Sequence, residues 1–249
     1  MKEKFSLAMD IGEQMLLSGA EVARAEESIK RMCEALGFQR TDVFFITSQM
    51  QATVYFGEDF ITQTRRISSI AADYEKLHRL NELSRKICIE TLSAEEIREE
   101  LKKAIETKTY PLWVECLAYS VIAGAFTLFF GGNLVETGIS AAAGLIIRLV
   151  IFLLEKYMSN KIFVKFVSSL LSTALAVLAV KTGAVETVDK IIIGNIMTLI
   201  PGIGLTNALR DLFIGDSIAG ILRMLEAVLL ALAIAAGYFA VVFLGGMAL

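Results

Sequence analysis

A single histidine in 249 residues leaves little room for the chemistry that most often depends on one. His78 sits among Glu75 and Arg79 on a charged stretch and reads as a solvated helix residue, so neither a Ser-His-Asp triad nor a His-rich metal centre has support. The three cysteines, Cys33, Cys88 and Cys116, have no CxxC spacing, which argues against a zinc site or a disulfide framework and for reduced packing residues. With no nucleophile and base in register, an enzyme ranks last among the readings, and no cofactor is expected. Basic excess is also missing. A net charge of −3 argues against nucleic-acid binding, which needs a dense positive surface to release counterions. No charged n-region followed by an apolar run opens the chain, so no cleaved signal is expected.

What the sequence has instead is a step. Only two prolines occur, and at the first, Pro111, charge gives way to apolar runs: 35 of the 51 Lys, Arg, Asp and Glu residues precede it. The fold class expected is a small cytosolic α+β domain, residues 1–110, followed by an α-helical polytopic membrane domain, residues 111–249.

In the first part, Leu7, Ile11 and Met15, then Val22, Ala25, Ile29, Met32, Cys33 and Leu36, mark the buried stripes of two helices punctuated by Gly19 and Gly37. Three segments rich in Val, Phe, Ile, Thr and Tyr between Asp42 and Ile67, turning at Gly57-Glu58-Asp59, read as a small antiparallel sheet. Ile70, Tyr74, Leu77, Leu80 and Ile87 suggest a further helix, and Ser93-Ala94-Glu95-Glu96 a capping box before a last one. Arg24, Glu26, Glu27, Lys30, Arg31 and Glu34 form either a docking face or an ordinary hydrated helix surface.

In the second part five spans are expected, at about 112–130, 135–154, 162–180, 191–207 and 218–244. Each approaches the length of about 20 helical residues that a bilayer requires. Lys102, Lys103 and Lys108 precede the first span, Lys156, Lys161 and Lys165 follow the second, and Arg210 and Arg223 follow the fourth. These ends belong in the cytosol by the positive-inside rule, which puts the N-terminus inside and Leu249 outside. Small residues in the second span (Gly138, Ala141, Ala142, Gly144) and the fifth (Ala231, Ala233, Ala235, Gly237, Ala240) permit close helix packing. Some of the facing helices belong to another chain, whether a partner or a further copy in an oligomer.

The fourth span carries the second proline, in Pro201-Gly202-Ile203-Gly204. Proline removes a donor and glycine loosens the backbone, so the helix should break there and bare polar groups that membrane depth tolerates only beside protein or water. Either this is a simple kink reaching the interface, or it forms a transporter-like site in which Asn195, Pro201, Gly202, Gly204, Thr206, Asn207 and Arg210 meet an anionic substrate. Arg148, costly at the centre of a span, either snorkels towards Lys156 or joins that site. Asp211, Asp216 and Glu226 are candidates for proton coupling, although Glu226 and Arg223 are also spaced to pair on one helix face.

Leu17-Ser18-Gly19-Ala20-Glu21-Val22-Ala23-Arg24-Ala25-Glu26, Thr64-Arg65-Arg66-Ile67 with 73–83, Ile200-Pro201-Gly202 through Thr206-Asn207-Ala208, and Asp211-Leu212 with Gly215-Asp216 to Gly220 together resemble the threonine/serine exporter family over nearly the whole chain. The resemblance implies a bacterial inner-membrane exporter of small amino acids or dicarboxylates such as succinate. It also implies a two-chain system, in which this chain is similar to the larger, YjjP-like subunit and pairs with a small YjjB-like membrane subunit. It supplies no residue-level mechanism. Two functions follow as expectations: one half of a secondary exporter, or a membrane-anchored regulatory or scaffold subunit whose partner forms the path.

Overall fold

The computed structural model describes residues 1–46, 48–67, 72–106, 110–158 and 160–244. Ile70 in the expected helical stripe, Lys108 and the uncharged tail 245–249 lie outside the described residues. The chain divides into two compact units, one of Met1–Lys108 with Thr206–Met224 and the other of Thr109–Leu205 with Leu225–Leu249.

The first unit begins with helices α1 (Lys2–Leu17) and α2 (Val22–Ala35). Each ends in a glycine at positive φ, Gly19 at 91° and Gly37 at 90°. Beyond them the Ala20 and Phe38 amides donate back to the Met15 and Cys33 carbonyls, a closure that needs a left-handed residue and so favours glycine. Strands β1 (Arg40–Ile46), β2 (Gln49–Phe56) and β3 (Asp59–Arg66) form an antiparallel sheet in sequence order. Its period-two alternation buries Met50, Ala52 and Val54 on one face, while Thr53 and Thr62 share a hydroxyl hydrogen bond on the other. Helices α3 (Tyr74–Ile89) and α4 (Ala94–Ile105) complete the order α-α-β-β-β-α-α. Asp73 caps α3, and the Ser93–Glu96 capping box forms at α4.

The core of this unit is Phe5, Met9, Ile11, Met15, Ile29, Met32, Phe45, Met50, Leu80 and Ile97, with Ala219 from the far end of the sequence. Ala219 belongs to a hairpin made by the end of α9 (Gly202–Ile214) and the start of α10 (Ser217–Leu244), joined through Gly215. Arg65 on β3 reaches Asp10 on α1 at 2.7 Å. Burial holds the Asp10 and Glu13 carboxyls above the usual carboxylate range despite this guanidinium.

The second unit contains α5 (Leu112–Phe129), α6 (Leu134–Tyr157), α7 (Lys161–Lys181) and α8 (Asp189–Met197), with the remainder of α9 and α10. Ile147, Ile151, Val164, Leu199 and Ile234 form a buried cluster, while Leu117, Val121, Leu128 and Phe129 on α5 are exposed, the arrangement of a surface solvated by lipid. Four helices, α5, α6, α7 and α10, are long and apolar enough to cross a membrane. Helices α8 and α9 pass the same test only together, bent by 57°, which makes five spans if they count as one. The helical stretch after the break continues to Ile214, beyond the expected end at Asn207, because no proline or glycine follows Gly204 until Gly215.

Candidate functional site

Small residues bring α5, α6 and α8 together. A Cβ on Gly194 would lie 2.0 Å from the Thr127 hydroxyl and 2.7 Å from the Ala123 carbonyl oxygen, and one on Gly144 would lie 2.7 Å from the Tyr119 carbonyl oxygen. Backbones can approach this closely only where a side chain is missing. On another face of the unit, Gly237 of α10 fits against the Phe166 carbonyl of α7. Gly138, expected to pack, has nothing within 4 Å of a built Cβ, since it lies on the face of α6 turned away from these contacts.

The close approach encloses a polar seam. Asn195 on α8 is fully buried; its Nδ2 donates to Ser140 Oγ at 3.0 Å and to the Ile191 carbonyl at 2.9 Å. Ser140 Oγ donates to the Ala123 carbonyl at 3.2 Å, which also accepts from Thr127 Oγ1 at 2.9 Å. The seam is not closed. Asn195 Oδ1 and Thr137 Oγ1 are buried without a hydrogen-bond partner among the described residues. An orphaned buried polar atom costs roughly 1–3 kcal/mol, a cost this seam carries at both atoms.

The break follows within a turn of Asn195. Thr198 Oγ1 donates to the Asn195 carbonyl at 2.7 Å, the Ile200 amide reaches the Ile196 carbonyl at 3.2 Å, and Pro201, which has no amide, stops the ladder. Gly202, Gly204 and Thr206 are exposed and Pro201 and Asn207 half-buried. Of the nominated residues Asn195 alone lies in the seam.

The ionic candidates have partners within the chain. Arg148 on α6 donates through Nε to Glu115 of α5 at 2.9 Å, lies 3.6 Å from Glu155 and stacks over Tyr119. Its charge is thus met by Glu115 and by Glu155, the neighbour of Lys156 on α6. In the first unit Arg210 Nη1 contacts Glu21 Oε1 at 2.7 Å. Arg223, expected beside Glu226, instead meets Asp211 at 3.0 Å and donates to the Ala20 carbonyl at 3.1 Å. Burial explains the choice: Asp211 is 1% and Arg223 9% exposed, and buried charges must pair, whereas Glu226 is exposed. The Arg223 contact is ionic only, for both Asp211 oxygens lack a hydrogen-bond donor among the described residues. Asp216 is half-buried and caps the first turn of α10 through the Ala219 amide.

These contacts give the motifs from opposite ends of the sequence one location. Gly19 turns the chain, Ala20 and Glu21 receive Arg223 and Arg210, and Gly220 lets α10 lie against Leu212, whose Cγ would be 2.7 Å from an added Cβ. The family model for threonine/serine exporters (ThrE) matches residues 6–245. The chain belongs to the threonine/serine exporter family. The ThrE family is a family of transporters, and with its apolar helices this member is a multi-pass membrane protein. No curated protein and no solved structure matches this chain.

Sequence reasoning alone missed Ser140, Thr127, Glu115 and Gly194. A serine or threonine in an apolar span is unremarkable by composition, and Glu115, inside the first expected span, carries no local cue to its partner. The signal that could have found Ser140 and Asn195 is shared polarity at membrane depth, where a lone amide demands a partner.

Proposed function

We propose that this ThrE member is the YjjP-like half of a secondary exporter that moves threonine, serine or a succinate-like dicarboxylate across the inner membrane with a small YjjB-like membrane subunit. The observation that carries the reading is the unpartnered Asn195 Oδ1, buried among hydroxyls one turn before a broken helix. An amide acceptor there suits the ammonium or hydroxyl of an amino acid, and the positive dipole end of a half-helix suits its carboxylate. Arg148, after exchange with Glu115, supplies countercharge. Asp211, with two buried oxygens short of donors, is the first candidate to carry a coupling proton, ahead of Asp216 and Glu226.

Exposure of Gly202, Gly204 and Thr206 favours a path completed by a second chain. It is also the observation that supports the other reading, a regulatory or scaffold subunit whose partner transports alone. The α9–α10 hairpin packs in the same unit as the N-terminal helices, which agrees with the fourth and fifth segments connecting in the cytosol, the N-terminus inside and the C-terminus outside. Reconstitution decides between the readings. Flux of labelled threonine, serine or succinate that requires both chains supports the exporter half; equal flux from the small subunit alone supports the scaffold.

A further inference from the structure

Between α2 and α3 of the first unit lies a cavity of about 290 Å³ lined by Arg24, Glu27, Ser28, Arg31, Asn81, Ser84, Arg85, Cys88 and Ile89. Its size is at the small end of the range for metabolite sites, roughly 300–1,000 Å³. Three arginines face one carboxylate, and that carboxylate is committed to Arg31 in an i to i+4 pair. Arg24 and Arg85 have no ion pair or side-chain hydrogen bond among the described residues. Two guanidiniums thus present unclaimed donor forks to the same concavity, geometry suited to carboxylate or phosphate oxygens.

The inner wall is polar and fixed. Asn81 and Ser84 are 8% and 7% exposed and are anchored to α3 by donating to the Leu77 and Asn81 carbonyls; Asn81 keeps its second amide N–H for an anion, whereas the Ser84 hydroxyl hydrogen is already committed. The helix surface expected to dock or simply hydrate is therefore divided. Glu26 turns inward, accepting the Phe45 amide at 2.8 Å, and Arg24, Glu27 and Arg31 line the cavity.

The geometry points to this cavity as a binding site for a small polyanionic metabolite bearing phosphate or carboxylate groups, held by Arg24 and Arg85 with Arg31 in support. It lies wholly within the first unit and does not depend on the transport reading: either can fail without the other. A concave site of this volume with buried polar residues suits a small molecule; a nucleic-acid or protein surface would spread its charge over a flatter area.

Cys88 provides the readout. It is exposed, whereas Cys33 and Cys116 are buried, and it lines the cavity, so an occupant shields it from a maleimide. The full chain in detergent, at fixed ionic strength, is labelled with pyrophosphate, citrate or neutral glycerol at about 10 mM, a concentration that detects even a weak site. Protection of Cys88 by pyrophosphate or citrate and not by glycerol is expected, the better protector identifying the preferred group. R24Q/R85Q should weaken protection more than about tenfold, the expected loss for charged hydrogen bonds, and R24K/R85K should retain part of it. If the double glutamine variant does not fold, R85Q alone carries the comparison. No protection by either anion, or protection unchanged in the glutamine variants, overturns the proposal.

Discussion

Replacing Arg223 with methionine should destabilise the first unit far more than a surface substitution would. The guanidinium sits 3.0 Å from an Asp211 carboxylate that is 1% exposed and has no hydrogen-bond donor among the described residues, so R223M strands a buried charge. Removing one partner of such a pair costs about 3–5 kcal/mol, whereas replacing both by apolar groups is often neutral. D211L/R223M still leaves the Ala20 carbonyl without its 3.1 Å donor, which should cost about 1 kcal/mol. R223M should therefore be about 2–4 kcal/mol less stable than D211L/R223M.

Cys33 reports it. The thiol is fully buried and burial pushes its pKa up to about 12, so a maleimide reaches it only when the unit opens. Labelling of the Cys33 peptide, followed by mass spectrometry, should accelerate by more than about a hundredfold in R223M and by about tenfold or less in D211L/R223M. A double variant that labels as fast as R223M, or faster, would refute the reasoning, because the stranded carboxylate would then not be the source of the cost.

Two further expectations follow from packing and ionisation. G194A should lower the thermal midpoint in detergent, since its methyl meets the Thr127 hydroxyl at 2.0 Å and overpacking costs about 1–3 kcal/mol; G202A, with nothing within 4 Å, should leave it unchanged or raise it. Glu26 has a carboxyl raised above its usual 4.5, first by burial, then opposed by the Phe45 amide and Lys30 and assisted by Asp216. The folded state therefore holds this proton more tightly than the unfolded one, so the stability it contributes is present below 4.5 and is lost as pH rises through the raised value. Chemical denaturation across that window should show a decline that E26Q flattens, and an identical slope in both proteins would contradict the assignment.

The elements were readable where a local rule decides them. Periodic apolar residues located α1 to α4, the Ser93–Glu96 box started α4, and Pro201 separated α8 from α9. Side-chain partners were not readable where they come from distant sequence: Asn195 with Ser140 across 55 residues, Arg148 with Glu115 across 33, Arg223 with the Ala20 carbonyl across 203. Such pairs leave no period, and the local option, Arg223 beside Glu226, satisfied helix geometry without satisfying burial. Small residues in the spans indicated that helices would approach, but Gly144 and Gly237 do so while Gly138 does not. Which face of a span meets protein depends on the other helices.

The most direct test is threonine efflux from proteoliposomes that contain this chain with the proposed small membrane subunit, comparing wild type with N195A. Flux that needs both chains and falls at least about tenfold in N195A, with the thermal midpoint lowered only by the loss of a hydrogen bond worth about 1 kcal/mol, is the predicted result. Flux from the partner alone, or flux through the pair that N195A leaves unchanged, would contradict a route along the Asn195 seam.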